Sequence, residues 1–346
     1  MDSLYSIYKQ RGYTRRDFLK SSLLLATFLG LSPSAFPRVV EALELKPKPV
    51  VIWLEFQDCA GCTESFIRST SILPSDVLLD YISLEYHETL MSPSGFYAEE
   101  AKREAIEKYK GKYILVVEGS LSPKSNGVYC TVSGKSNVEL LKETAKNAGL
   151  IIAIGSCASW GGIPHAEPNP TGAIPLSQLL EDKKVVNIPG CPPIGDVVVA
   201  VIASYVITGK PPELDSMGRP KAFYGQTIHD RCYRRPFYNA GRFASSFDDE
   251  NAKKGYCLYK LGCKGPITRN ACATVGWNGG LSFPIRSGHP CFGCSEPDFW
   301  DRGFIYSPLS VVEGGFSWKK ALVGVALGAV SGAVVGAVHK KLREGK

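Results

Sequence analysis

The chain has 346 residues, enough for two domains with peripheral segments, and a formal net charge of +7. The charge is uneven: residues 1–48 carry +4 and residues 318–346 carry +5, leaving −2 for the body between them. A basic excess confined to the ends argues against nucleic acid as a partner and for targeting and membrane topology as its use.

In chain order, Thr14-Arg15-Arg16-Asp17-Phe18-Leu19-Lys20 comes first, followed by an apolar run over 23–36 too short and interrupted to span a bilayer. Paired arginines, then Phe-Leu-Lys, then a moderate apolar stretch read as a twin-arginine export signal over 1–45. Val40-Glu41-Ala42 is a poor small-x-small match for a cleavage site.

Four apolar, β-branched runs follow, at 50–56, 113–117, 150–154 and 185–188, with helical stretches expected at 94–110, 138–148 and 175–181. Alternation of strand and helix implies a parallel sheet with right-handed crossovers. Such sheets bind ligands beyond the carboxyl ends of their strands, so the residues after each run matter most. They are Asp58-Cys59-Ala60-Gly61-Cys62, Glu118-Gly119-Ser120, Gly155-Ser156-Cys157 and Pro189-Gly190-Cys191-Pro192-Pro193. Three strand ends thus deliver Cys59, Cys62, Cys157 and Cys191 to one edge.

Beyond about residue 222 the pattern changes to Gly, Pro, Asn, Arg and aromatics with little periodicity, a segment that needs staples. It supplies His229-x-x-Cys232, Cys257, Cys263, Cys272 and Cys291-x-x-Cys294. Last, 321–338 holds 18 residues without a charge, about 27 Å as a helix, between Lys319-Lys320 and His339-Lys340-Lys341. Gly324, Gly328, Gly332 and Gly336 fall on one face of that helix, where another helix can approach closely. With the body exported, the Lys-rich tail stays in the cytoplasm.

Exported proteins usually spend cysteine on disulfides. Here the count is eleven, an odd number, the Cys-x-x-Cys pairs are tight, and the twin-arginine route carries proteins already folded around a cofactor. Zinc suits the pairs but leaves the signal, the anchor and the three separate sets unexplained. Thiolates on iron–sulfur clusters account for all of them.

The set Cys59-x-x-Cys62-Thr63-Glu64-Ser65, Gly155-Ser156-Cys157-Ala158-Ser159-Trp160-Gly161-Gly162, Pro189-Gly190-Cys191-Pro192-Pro193 and 288–301 (GHPCFGCSEPDFWD) resembles the small subunit of membrane-bound, uptake-type nickel–iron hydrogenases over roughly 48–310. The resemblance implies a proximal [4Fe–4S] cluster on Cys59, Cys62, Cys157 and Cys191, and a distal [4Fe–4S] cluster on His229, Cys232, Cys257 and Cys263. It implies a medial [3Fe–4S] cluster on Cys272, Cys291 and Cys294; Pro284, which cannot ligate, stands where selenium-containing relatives have a fourth cysteine. The implied architecture is α/β: a flavodoxin-like parallel-sheet domain over 48–215, an irregular, cluster-stapled domain over 222–312 and a transmembrane anchor over 319–340.

The implied function is electron relay from hydrogen oxidation at a nickel–iron centre in a large subunit, through three clusters, to an integral membrane cytochrome b-like or quinone-linked protein. This chain would hold no catalytic residue, would meet the large subunit at its strand ends and would sit on the outer face of the cytoplasmic membrane. The alternative is an iron–sulfur module of a different exported membrane-bound oxidoreductase. Gly61 and Gly162 stand where oxygen-tolerant relatives have two further cysteines, which implies an ordinary proximal cubane. Ala60 replaces a hydroxyl residue common in the family, which weakens a proton relay through Asp58 and Glu64. Cys130 is left over and reads as a small buried residue.

Overall fold

The computed structural model describes residues 4–10, 12–28, 33–45, 48–69, 82–302 and 305–309. The expected membrane helix at 321–338 lies outside them, and among the described residues no helix is long and apolar enough to cross a membrane.

Five parallel strands form the central sheet: β1 (Val50–Glu55), β2 (Ser83–Tyr86), β3 (Ile114–Glu118), β4 (Leu150–Ile154) and β5 (Val185–Ile188), in the order β2-β1-β3-β4-β5. This is the flavodoxin-like order, whose switch point lies between β1 and β3. β1, β3, β4 and β5 are buried along their whole lengths, which is why they read as continuous apolar runs.

Successive residues still point to opposite layers. Val51, Trp53, Ile114, Val116, Ile152 and Ile154 face a layer built on the helix Gly195–Thr208. Ile52, Leu54, Leu115, Val117, Ile151 and Ala153 face Phe96–Lys108 and Asn137–Ala145. The latter helix begins with a capping box, Ser136 accepting from the Glu139 amide while Glu139 accepts from the Ser136 amide.

The helix Gly195–Thr208 is absent from the sequence-based expectations. Its run of Val and Ile favours strands, and it has no polar face because the sheet lies on one side and the helix Phe36–Leu45 on the other. The helix expected at 175–181 is a single tight turn, Leu176–Gln178, and the short edge strand β2 was not expected.

The N-terminal segment is folded onto the body. Three helices, Leu4–Gln10, Arg15–Phe28 and Phe36–Leu45, pack together, and Phe18 and Val39 join the layer of Gly195–Thr208. Thr14 and Asp17 exchange hydrogen bonds at the start of the second, and Arg15 and Arg16 stand exposed in its first turn.

After residue 209 the chain is mostly turns, tied to the sheet domain by a buried ion cluster. The Arg219 guanidinium, 2% exposed, lies 2.8 Å from Asp215 Oδ2 and 3.1 Å from Glu296 Oε1. It also lies over the Tyr224 ring, whose hydroxyl donates to Pro189 O at 2.8 Å. Glu296 follows the Cys291-x-x-Cys294 pair and Pro189 precedes Cys191, so one cation joins the loops of two cysteine sets. Arg219→Ala removes the cation shared by two partly buried carboxylates, each of which keeps a backbone amide, and is expected to cost about 2–3 kcal/mol, read by calorimetry as a lower unfolding temperature.

Candidate iron–sulfur sites

At the switch point Asp58 shapes the turn after β1: its carboxylate accepts from the Phe56 amide at 3.2 Å and the Ala60 amide at 3.1 Å. Ala60 adopts φ 55°, and the helix Gly61–Ile67 follows at once with Cys62 in its first turn. Glu118, at the end of β3 and fully buried, accepts from the Cys62 amide at 2.9 Å, the Thr63 amide at 3.1 Å and the Thr63 hydroxyl at 2.6 Å. The strand end thereby holds the cysteine turn in place.

Cys157 comes from the turn after β4 and Cys191 from the turn after β5. Burial pushes the Cys62 thiol well up, and Glu118, Cys157, Cys191 and Cys59 push it further. Burial likewise raises Cys157 to about 11 and Cys191 to about 12. All four expected cysteines therefore converge. Two glycines make room for them. Gly155, at φ 81°, lies so close to Cys62 Sγ that a methyl group there would collide with the sulfur, and at Gly162, φ 58°, a Cβ would sit 2.7 Å from Cys157 Sγ.

The second set surrounds a cavity of about 390 Å³, lined by Cys272, Cys291 and Cys294 with Phe283, Pro284 and Ile285. Pro284 thus faces the same space as the three thiols. Cys191 also reaches this cavity and lines it together with Cys294.

In the third set burial, with Cys263 and Cys232 nearby, raises the Cys257 thiol to about 11. Gly265 lies between Cys263 and His229: a Cβ there would be 3.4 Å from Cys263 Sγ and 3.8 Å from the His229 backbone nitrogen. Burial, aided by Arg235, lowers the His229 imidazole, which favours the neutral ligating form. Its ring meets Tyr238 edge-on at 4.6 Å, within a cluster completed by Phe243 and Tyr259. Between the second and third sets the Cys291 amide donates to Cys263 Sγ at 3.4 Å, and the Lys264 amide donates back to Cys291 O at 2.8 Å.

All eleven cysteines are free thiols. A buried thiol ionises only beside a compensating cation, and most of these sit where burial and neighbouring thiols oppose ionisation. Tetrahedral zinc would require sulfurs roughly 3.8 Å apart, each about 2.3 Å from the ion. Among the described residues no three His, Cys, Asp or Glu side chains gather closely enough for a single ion. Three sets of soft ligands around open space fit polynuclear iron–sulfur clusters.

Sequence reasoning passed over Glu118 as an anchor, along with Ser156 and Lys264. Lys264 Nζ, on a residue 5% exposed, donates to the carbonyls of Gly262, Ile305 and Ser307 at 2.8–2.9 Å. Glu118 was visible only as the residue after a strand at the binding edge. Cys130 is half-buried, and burial raises its thiol to about 11.

Residues 224–306 match the C-terminal family of NiFe/NiFeSe hydrogenase small subunits, and residues 59–205 match the family described as NADH ubiquinone oxidoreductase, 20 Kd subunit. The chain is 49% identical over 338 residues to the uptake hydrogenase small subunit of Azotobacter vinelandii, covering 97% of this chain and 94% of that one. It is 49% identical over 335 residues to the hydrogenase-1 small chain of Escherichia coli, covering 96% and 90%. Among solved structures, the Ni-Fe-Se hydrogenase from Desulfomicrobium baculatum is similar with TM-score 0.72 and 35% identity, over 76% of this chain and all of that one. The [NiFeSe] hydrogenase from Desulfovibrio vulgaris Hildenborough is similar with TM-score 0.68 and 39% identity, over 74% and 96%. On this kinship over nearly its whole length, the chain belongs to the small subunits of nickel–iron hydrogenases.

Proposed function

We propose that this chain is the electron relay of a hydrogenase heterodimer, receiving electrons from hydrogen oxidation at a nickel–iron centre in the large subunit and passing them outward. The observation that supports the reading is the succession of three ligand sets, the first meeting the second where Cys191 and Cys294 line one cavity, and the second meeting the third where the Cys291 amide donates to Cys263 Sγ. Iron–sulfur clusters would supply one-electron carriers: [4Fe–4S] on Cys59, Cys62, Cys157 and Cys191, [3Fe–4S] on Cys272, Cys291 and Cys294, and [4Fe–4S] on His229, Cys232, Cys257 and Cys263. The residues of this chain would hold these carriers, with Cys272 and Cys291 of the middle set buried and His229 of the third half-buried. Pro284 leaves the middle set one ligand short, which favours three irons there.

The twin arginines on an exposed helix start, the uncharged stretch at 321–338 and the charge at both ends support export and anchoring on the outer face of the cytoplasmic membrane. The glycine face of that stretch suits a cytochrome b-like or quinone-linked membrane protein as acceptor. Gly61 and Gly162 leave the proximal set without extra thiols, so no oxygen tolerance arises by that route.

The purified heterodimer should contain about twelve irons, about eleven in the clusters of this chain and one at the nickel–iron centre, and, when oxidised, give the electron paramagnetic resonance signal of a [3Fe–4S] cluster. Zinc in place of iron, or disulfides between these cysteines, would end the reading. Iron without hydrogen-dependent dye reduction would favour the module of a different oxidoreductase. Gly155→Ala should remove about four irons, those of the proximal cluster, and leave the [3Fe–4S] signal intact, as iron analysis and resonance will show.

Glu55 gives a pH signature. Burial, with Glu118, Asp58 and Glu88 nearby, raises its carboxyl to about 7, and Oε2 lies 3.4 Å from His87 Nδ1 with no hydrogen-bond partner among the described residues. His87 is itself lowered to about 4 by burial and stays neutral across this range. As pH rises through about 7 Glu55 becomes anionic, which disfavours adding an electron at the neighbouring proximal site. The proximal midpoint potential should therefore fall across that window in the wild type. Redox titration of Glu55→Gln at several pH values should show that step reduced.

A further inference from the structure

The junction between the first two cysteine sets depends on one hydroxyl. Ser156, 1% exposed, precedes Cys157 in the turn after β4. Its Oγ accepts from the Gly190 amide at 3.0 Å and donates to the Cys294 carbonyl, while its own amide donates to Gly190 O at 2.9 Å. Gly190 adjoins Cys191, so this side chain touches the backbone beside two proximal cysteines and that of a medial one. Four residues on, the Trp160 indole donates to Ser295 O at 3.1 Å, a second tie from the same short helix, Gly155–Trp160, to the same loop. These two bonds lie beside the cavity that Cys191 and Cys294 line together.

We infer that Ser156, assisted by Trp160, is a positioning residue for electron transfer between the proximal and medial sites, which deepens the relay reading above and rests on it. Without the hydroxyl, the Cys294 carbonyl and the Gly190 amide lose a shared partner in a buried place. The two loops are then free to separate, and the spacing of Cys191 from Cys294 across the cavity they share is the first to lengthen. In the step affected, one electron leaves the Cys157 and Cys191 side, which is oxidised, and arrives on the Cys294 side, which is reduced. No covalent bond breaks and no proton moves. Electron tunnelling weakens steeply with distance, so a small displacement acts on this step before it acts on folding.

The test uses the whole heterodimer as wild type, Ser156→Ala, Ser156→Thr and Trp160→Phe. Iron content and the resonance signal of each cluster establish loading and thereby test the relay reading separately. Hydrogen–deuterium exchange activity, which needs no electron to leave the nickel–iron centre, reports on the large subunit alone. Rapid-freeze resonance after mixing with hydrogen then follows the decay of the oxidised [3Fe–4S] signal. In fully loaded Ser156→Ala that decay is expected to slow by about tenfold or more with exchange unchanged, and Ser156→Thr, which keeps the hydroxyl, to restore it. If Ser156→Ala loses iron, Trp160→Phe keeps the hydroxyl and removes only the second tie, and it should slow the decay by a smaller factor. Decay at the wild-type rate in loaded Ser156→Ala, or in Trp160→Phe where the former does not load, overturns the inference.

Discussion

Uncompensated thiolates cannot be buried beside one another, and the arrangement of this chain follows from that constraint. Around Cys62 burial, a buried carboxylate and three further thiols all act against ionisation. Only concentrated positive charge relieves the repulsion, and a multi-iron cluster supplies it while leaving the sulfurs too far apart for a disulfide. The sheet provides the rigid side of this arrangement: β1, β4 and β5 end at one edge, each offering a turn that carries cysteine, and Glu118 of β3 holds the turn between them.

The medial and distal sets have no sheet beneath them. From residue 209 onward order comes from single contacts: Arg219 between two carboxylates, Lys264 among three carbonyls, and the aromatic cluster around His229. A region with so little regular structure gains stability from whatever binds its ligands, so metal loading and folding are coupled there more tightly than in the sheet domain.

What could be read in the sequence was local. Four strands show as apolar β-branched runs, and those at 150–154 and 185–188 fall where the structure has them. The cysteine spacing was equally legible, because Cys-x-x-Cys pairs and strand-end turns are features of adjacent residues. The helix Gly195–Thr208 was not, because burial on both sides erases the polar face that marks a helix. Ser156 and Lys264 were invisible for another reason: their partners, Cys294, Ile305 and Ser307, lie far along the chain, and nothing in the residues nearby announces them.

The two junctions along the relay are built differently, and their construction suits their surroundings. Between the first and second sets, the sheet domain meets the irregular region, and the contact is reinforced by side chains from one short helix and by Arg219 over Tyr224, whose hydroxyl reaches Pro189 O. Between medial and distal sets, both loops belong to the same irregular region and the joint is made by backbone amides, that of Cys291 reaching Cys263 Sγ and that of Lys264 reaching Cys291 O. Backbone amides are fixed by the chain itself and need no reinforcement from distant side chains. The vulnerable spacing is therefore the inner one, at the domain boundary, where a few buried side chains hold two separately built pieces at a working distance.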